Sequence, residues 1–189
     1  MADNVLNIFE GPATVAFQAY VAPIGGAEPV PSTWVDVGAI KGGVKYHPVR
    51  SYHDIETDHS IGVYDTVKIK EAIDFSFQMQ EISPANVLLA MDMPSSVLTG
   101  SYPAQTIARA LGSRQLKMMQ IVSTNLAPNT GGVNKVTITS WRCVITEIAD
   151  VPFTKEGETL LNVKVRAFVD PGITAALAAQ DTKFVFATA

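Results

Sequence analysis

The sequence is short of charge and of cysteine. Charged residues make up 17% of its 189 residues, whereas about 25% is usual for a soluble domain. A chain with so few charges leaves apolar surface to cover, and self-association is one way to cover it. The hydrophobic fraction of 47% excludes an intrinsically disordered chain.

A single cysteine, Cys143, excludes an intrachain disulfide and a cysteine-based zinc site. It lies in an apolar stretch beside Trp141 and Val144, which predicts a buried small hydrophobic residue rather than a reactive thiol. The N-terminus lacks the basic residue and apolar run of a secretory signal, and the longest apolar runs are too short to span a bilayer. We therefore expect a protein kept in a reducing compartment, without a membrane partner.

A strongly basic balance is also missing. The formal net charge is −4, from 14 Lys and Arg against 18 Asp and Glu. A protein that holds nucleic acid through phosphate contacts needs a basic footprint, so specific nucleic-acid binding is not expected. The length predicts one domain over residues 1–189, with extended loops and terminal arms. Such a chain buries roughly 70% of its unfolded surface and needs no metal to fold.

Apolar and polar residues alternate along several segments of the sequence. Ile73, Phe75, Phe77 and Met79 alternate with polar residues, which predicts a half-buried strand whose apolar face lies in the core. The segment 135–148 carries apolar residues at both odd and even positions, so both faces of the strand are apolar, which predicts a central strand. Further strands are predicted at 15–21, 115–124, 161–169 and 183–187.

Helical signals are few. Ser83 is a natural N-cap, Pro84 suits the first helical position, and 85–91 is a good helical run. A second short helix is predicted at 105–111, before Gly112, and a long loop at 92–103. The order of elements predicts a mainly β fold, an antiparallel β-sandwich or barrel with one flanking α-helix.

Catalytic and metal-binding signatures are absent. The three histidines, His47, His53 and His59, are six residues apart, or roughly 20 Å along a strand. Ligands of one zinc ion lie within a few ångströms of each other, so we expect surface histidines and no metal. No G-x-S-x-G, H-E-x-x-H, P-loop or G-x-G-x-x-G motif occurs. We expect Gly42 and Gly43 to form a bend before a strand and not a phosphate-binding loop. No enzyme activity and no cofactor are expected.

The acidic residues form a pattern of their own. Asp54, Glu56 and Asp58 occupy alternate positions, which places them on one face of a strand. Catalytic acids need an apolar pocket that raises one pKa, so a solvated face is favoured. A second polar face carries Asp74, Ser76 and Gln78. If the two segments pair as a hairpin, we expect their polar faces to form one continuous acidic-to-neutral strip.

These features, in this order, resemble those of the tail tube proteins of tailed bacteriophages. Residues 37–44 (VGAIKGGV) look like the "VG…GGV" opening of that family, and a polar strand with acids follows at 54–58. Next come a strand of the "i-x-f-x-f-x-x-E" type at 73–81 and a helix of the "s-x-x-n-l-x-x-A" type from Ser83. The resemblance is clearest over 37–91 and general elsewhere.

The resemblance implies a fold and a function. Two packed antiparallel sheets and a helix would form the subunit, six subunits would form a ring, and rings would stack into a hollow tube for DNA delivery. A long hairpin from each subunit would contribute to a closed inner β-barrel. The lumen-facing residues implied are Asp54, Glu56, Asp58, Asp74, Ser76 and Gln78. The partners implied are further copies of the chain, the tape measure and terminator proteins, a sheath if the tail is contractile, and DNA in transit. The opening motif favours a non-contractile tail, in a virion assembled in the host cytoplasm.

Two other classes of function stay open. A β-sandwich can be a binding module for a carbohydrate or a protein partner. Such a module would present exposed aromatic platforms, and the sequence has only Trp34 and Trp141 as tryptophans. A small β-barrel hydrolase would need a nucleophile beside a base, and no such arrangement stands out.

Overall fold

The structure is a computed structural model that describes residues 12–56, 63–100, 105–107, 115–124, 135–147, 159–173 and 183–187. This part of the chain is mainly β, with one α-helix and a large antiparallel sheet, which confirms the predicted fold class. Its elements are β1 (Ala13–Ala19), β2 (Val35–Asp36), β3 (Ile40–Glu56), β4 (Val63–Met79), α1 (Pro84–Ala90), β5 (Leu98–Thr99), β6 (Thr106–Ile107), β7 (Lys117–Thr124), β8 (Lys135–Glu147), β9 (Leu161–Ala167) and β10 (Lys183–Ala187).

Strand β8 joins two halves of the main sheet. The strand order is β2-β1-β7-β8-β9-β4-β3, with β10 paired to β8. The first part of β8, from Lys135, pairs with β10, and its last part, from Cys143, pairs with β9. The rings of Phe17 on β1 and Phe77 on β4 lie 6.1 Å apart, so strands from the two halves face each other across the core. The predicted central strand at 135–148 is confirmed by this position.

The core is built from the apolar face of each strand, that is, from every second side chain. On β4, Ile73, Phe75, Phe77 and Met79 are all buried, and the residues between them are only half-buried. The same alternation on β9 buries residues from its first to its last position, because each strand presents every second side chain to the opposite half of the sheet. The main cluster also includes Val15, Phe17, Met119, Ile121, Cys143, Leu161, Val163 and Val165.

Helix α1 begins where the sequence predicts. The Ser83 hydroxyl oxygen accepts a hydrogen bond from the Asn86 backbone N–H at 3.2 Å, and Pro84 takes the first helical position. Leu88 and Ala90 are buried, and Ala90 belongs to the core cluster, against which Val87 and Leu89 also pack. The helix therefore covers one side of the core, as predicted.

The structure differs from the predictions at two places. Thr106 and Ile107, expected in a second helix, form β6 and pair with β5, so the helix prediction is wrong there; residues 108–114 lie outside the described part. Both residues are β-branched and favour extended backbone. The segment predicted as a long loop carries β5 and a 3-10 turn at Ser95–Val97.

A second, smaller cluster lies apart from the main core. Met118, Trp141 and Ile173 are buried there, with Tyr20 and Trp34 packed against them. The Tyr20 hydroxyl donates to the buried carboxylate of Asp170 at 2.9 Å, and burial together with this hydrogen bond raises the pKa of Tyr20.

The described helix is too short to cross a membrane, and that part of the chain contains no other α-helix.

Candidate functional site

The longest feature of the fold is the hairpin of β3 and β4, each of 17 residues. Strand β4 pairs with β9 only from Ile73 to Met79. From Arg50 on β3 and up to Glu71 on β4, the two strands pair with each other and with no third strand of the described part. We call residues 50–56 with 63–71 the hairpin arm.

The hairpin arm exposes apolar side chains. Tyr52 is 53% exposed, Val67 46% and Ile55 37%. Side chains alternate along β3, so Tyr52 and Ile55 lie on opposite faces of the arm. Strand β3 also ends the sheet, because no described strand pairs with its outer side. A long edge strand with exposed apolar residues is a template for pairing with another chain.

One face of the hairpin's base continues across β9 and β8 and is polar. We call it the polar face; it lies opposite the core-facing side chains of β4. In the register, Asp74 lies between His47 and Arg166, and Ser76 lies between Lys45 and Lys164. Its residues are Lys41, Lys45, His47, Asp74, Ser76, Gln78, Glu147, Asn162, Lys164 and Arg166.

Ion pairs dominate the polar face. Arg166 donates from Nε to Asp74 Oδ1 at 2.6 Å and from Nη2 to Asp74 Oδ2 at 2.7 Å. These hydrogen bonds hold the pKa of Asp74 below its usual value, against an opposing effect of partial burial. Lys164 Nζ forms an ion pair with Glu147 Oε2 on β8.

Amides complete the polar face, since Gln78 Nε2 donates to Asn162 Oδ1 at 2.8 Å. Sequence reasoning missed the pairing residues of β9. Lys164 and Arg166 occupy polar positions of the predicted strand 161–169. Their acidic partners belong to other strands, so no pattern within this segment indicates the pairing.

The expected continuous acidic strip is wrong. Asp54 faces Thr66 in the register, and the Thr66 hydroxyl donates to Asp54 Oδ1 at 3.2 Å. On β3, His47 is the partner of Asp74, and Asp54 lies seven residues further on, an odd number. The register shift between Ser51 and Tyr52 adds its extra residue to β4, so β3 alternates without a break, and an odd separation along β3 places Asp54 on the face opposite Asp74. Glu56 pairs with Val63 in the register, and Asp58 lies outside the described residues.

The glycines of the opening motif have specific positions. Gly38 has φ +78°, its N–H donates to Asp36 Oδ1 at 2.8 Å, and a Cβ built on it would meet the Glu81 carboxylate. The Asn86 side chain donates to the carbonyls of Val37 and Glu81, at 2.8 Å each, and so fixes this turn against α1.

Gly42 and Gly43, both with φ +72°, lie within β3, where the register with β4 shifts between Lys41 and Lys45. The prediction of a bend before the strand therefore becomes a bulge inside it, for which left-handed glycines are well suited.

A cleft of about 510 Å³ lies on the polar face beside this bulge. Its lining includes Lys41, Lys45, Gln78, Asn162 and Lys164.

Burial raises the pKa of the Cys143 thiol to about 12, so this residue is not a thiolate nucleophile. Within the described ranges, no group of three His, Cys, Asp or Glu side chains is placed to share a metal ion. His47 and His53 are exposed, and His59 lies outside those ranges.

Comparison with known proteins does not assign the chain to a family. No family model matches the chain, and no curated protein matches it. A solved structure titled "Cryo-EM structure of the anti-feeding prophage (AFP) baseplate, 6-fold symmetrised" contains a chain that is 11% identical, with a TM-score of 0.45. The match covers 94% of this chain and 95% of the other.

Proposed function

We propose that this protein is the major tail tube subunit of a tailed bacteriophage. In this proposal six copies form a ring, and rings stack into a hollow conduit that delivers DNA into the host. The protein acts as a structural component of the virion, not as an enzyme. The proposal rests on the hairpin arm, supported by the ordered sequence features over 37–91.

The hairpin arm fits a subunit whose neighbours complete its sheet. An isolated two-stranded hairpin is at best marginally stable in water, so a long arm with exposed Tyr52, Ile55 and Val67 gains stability from a neighbouring chain. In a ring, the contacts between copies are heterologous, and rotation closes them. Closing the sheets of all copies into one barrel removes the exposed edge of β3.

The polar face is the side of the sheet that we assign to the bore. Free Lys and Arg side chains would bind passing phosphates through counterion release. Within the sheet, Arg166 and Lys164 are instead engaged by Asp74 and Glu147, so a phosphate would have to displace a carboxylate there. The other two lysines of the polar face, Lys41 and Lys45, lie at its β3 edge. In this assignment Asp74, Ser76 and Gln78 keep their predicted place in the lumen, and Asp54 belongs to the other face of the arm.

The partners follow from this role. Further copies of the chain form the tube, the tape measure and terminator proteins act inside it and at its end, and DNA passes without specific binding. The protein would assemble in the host cytoplasm and remain in the virion tail. The VG…GGV opening, Val37–Gly38 and Gly42–Val44 here, favours a non-contractile tail.

Sedimentation and negative-stain electron microscopy of the purified protein test the proposal. We expect concentration-dependent rings and tubes from the wild type, and a folded monomer from a Tyr52→Asp/Val67→Asp variant. Val169→Asp is the matched control, because Val169 is 50% exposed and lies outside the hairpin. A wild-type protein that stays monomeric, or that binds a carbohydrate as a monomer, would contradict the proposal and favour a binding module.

A further inference from the structure

We infer that Glu147 of one copy forms ion pairs with Lys41 and Lys45 of the neighbouring copy in the ring. The inference rests on the proposed function, because it specifies which edges of the sheet meet when the ring closes. It concerns an interface between two copies of this chain, not a contact inside one copy.

The first observation is a row of cross-strand neighbours. Lys45 on β3 lies opposite Ser76 on β4, Ser76 lies opposite Lys164 on β9, and Lys164 lies opposite Glu147 on β8. One polar row thus crosses four strands, with a lysine at one end and a glutamate at the other. Directly opposed side chains in such rows are close enough to interact.

The second observation is that both ends of the row lie at strand edges. Strand β3 ends the sheet. At the other end, Cys143 is the last β8 residue that pairs with β7, so the outer side of 144–147 pairs with none of the described strands. A ring of identical copies that continues this row of four strands brings the β3 edge of one copy to the 144–147 edge of the next.

The third observation is that the two edges carry opposite charge on the polar face. Lys41 and Lys45 are exposed at the β3 edge, and the Glu147 side chain is 59% exposed at the β8 edge. Glu147 contacts Lys164 through one carboxylate oxygen, Oε2, and a carboxylate has lone pairs for a further donor. Electrostatic complementarity of this kind fixes the register of an interface and disfavours wrong pairings.

The bulge between the two lysines gives them room. A Cβ built on Gly42 or Gly43 meets nothing within 4 Å, so the lysines flank an open stretch of edge. Strands in a closed barrel are staggered along each other. The incoming glutamate therefore faces the segment 41–45 as a whole, and both lysines are its partners.

Charge reversal tests this pairing. A Lys41→Glu/Lys45→Glu variant has two acidic edges, and a Glu147→Lys variant has two basic edges. Each should fold, as judged by circular dichroism, and should raise the protein concentration needed for tubes about tenfold or more. The defect should weaken in about 0.5 M salt, where exposed charges are screened. Lys135→Glu, a reversal at the opposite end of β8, should assemble like the wild type.

The deciding experiment is to mix the two variants. In a ring that alternates the two variants, the acidic β3 edge of one meets the basic β8 edge of the other at every second contact. At the contacts between, the native lysines meet the native Glu147. Every contact then joins opposite charges, so mixed rings should form where neither variant forms rings alone. Folded variants that the mixture does not rescue, or variants that assemble like the wild type, would overturn the inference. Wild-type rings in those same experiments would leave the proposed function intact, whereas their absence would end both.

Discussion

Arg166 binds both carboxylate oxygens of Asp74, at 2.6 and 2.7 Å, across adjacent strands 92 residues apart in sequence. The paired side chains are 33% and 25% exposed, so the pair is partly screened by solvent. It lies beside the ion pair of Lys164 and Glu147 on the polar face. This face is therefore made largely of paired charges and amides rather than of unpaired acids.

The Asp74 carboxylate gives the fold a measurable acid sensitivity. Because Arg166 lowers the pKa of Asp74, the pair contributes its stability above the unfolded pKa of about 3.9 and loses it as pH falls through the folded value. At neutral pH, Asp74→Asn should cost about 1 kcal/mol. Urea unfolding curves of wild type and variant should converge as pH falls below about 4.

Ser76→Ala is the control for this prediction. Ser76 neighbours Asp74 on the polar face and does not titrate, so its free-energy difference from the wild type should not change with pH. A difference between wild type and Asp74→Asn that stays constant down to the lowest pH would contradict the assigned cause.

The aromatic core of β4 should dominate stability. Phe75 is fully buried, and Phe75→Ala should lower the free energy of unfolding by about 3–5 kcal/mol, since it removes buried apolar surface and leaves a cavity. Phe186 is 63% exposed, and Phe186→Ala should stay within about 0.5 kcal/mol. Chemical denaturation of the monomer measures both values. Equal losses at the two positions would mean that the core is placed wrongly.

The glycines of the opening motif should differ in cost. Gly38→Ala must adopt a left-handed backbone and also displaces the flexible end of the Glu81 side chain, which adds a small cost, so we expect a loss of about 1–2 kcal/mol. Gly42→Ala has the same backbone strain but open space around it, so about 1 kcal/mol is expected. Thermal unfolding ranks the two variants. A larger loss at Gly42 would show that the Glu81 contact is unimportant.

The sequence carries enough information for the strands and for α1. Alternation of apolar and polar residues is a local signal, and it places Phe75 and Phe77 in the core because each strand buries one parity. The cap at Ser83 is equally local, since its hydroxyl binds a backbone N–H three residues away.

The relations between strands are not local, and there the predictions failed. Whether Asp54 shares a face with Asp74 depends on the register of the hairpin, and a slip of one residue reverses the answer. The pairing of Asp74 with Arg166 depends on β4 and β9 lying side by side, which no spacing in the sequence indicates. At Gly42 and Gly43 the sequence predicts a bend and the structure has a bulge, because glycine pairs occur in both.

Cryo-electron microscopy of the assembled wild-type protein tests the central claim most directly. The account predicts hollow tubes of sixfold rings, in which the outer edge of β3 is paired with a strand of the neighbouring copy and the polar face lines the bore. A particle that remains a monomer at high concentration, or a ring in which β3 keeps an unpaired edge, would contradict it.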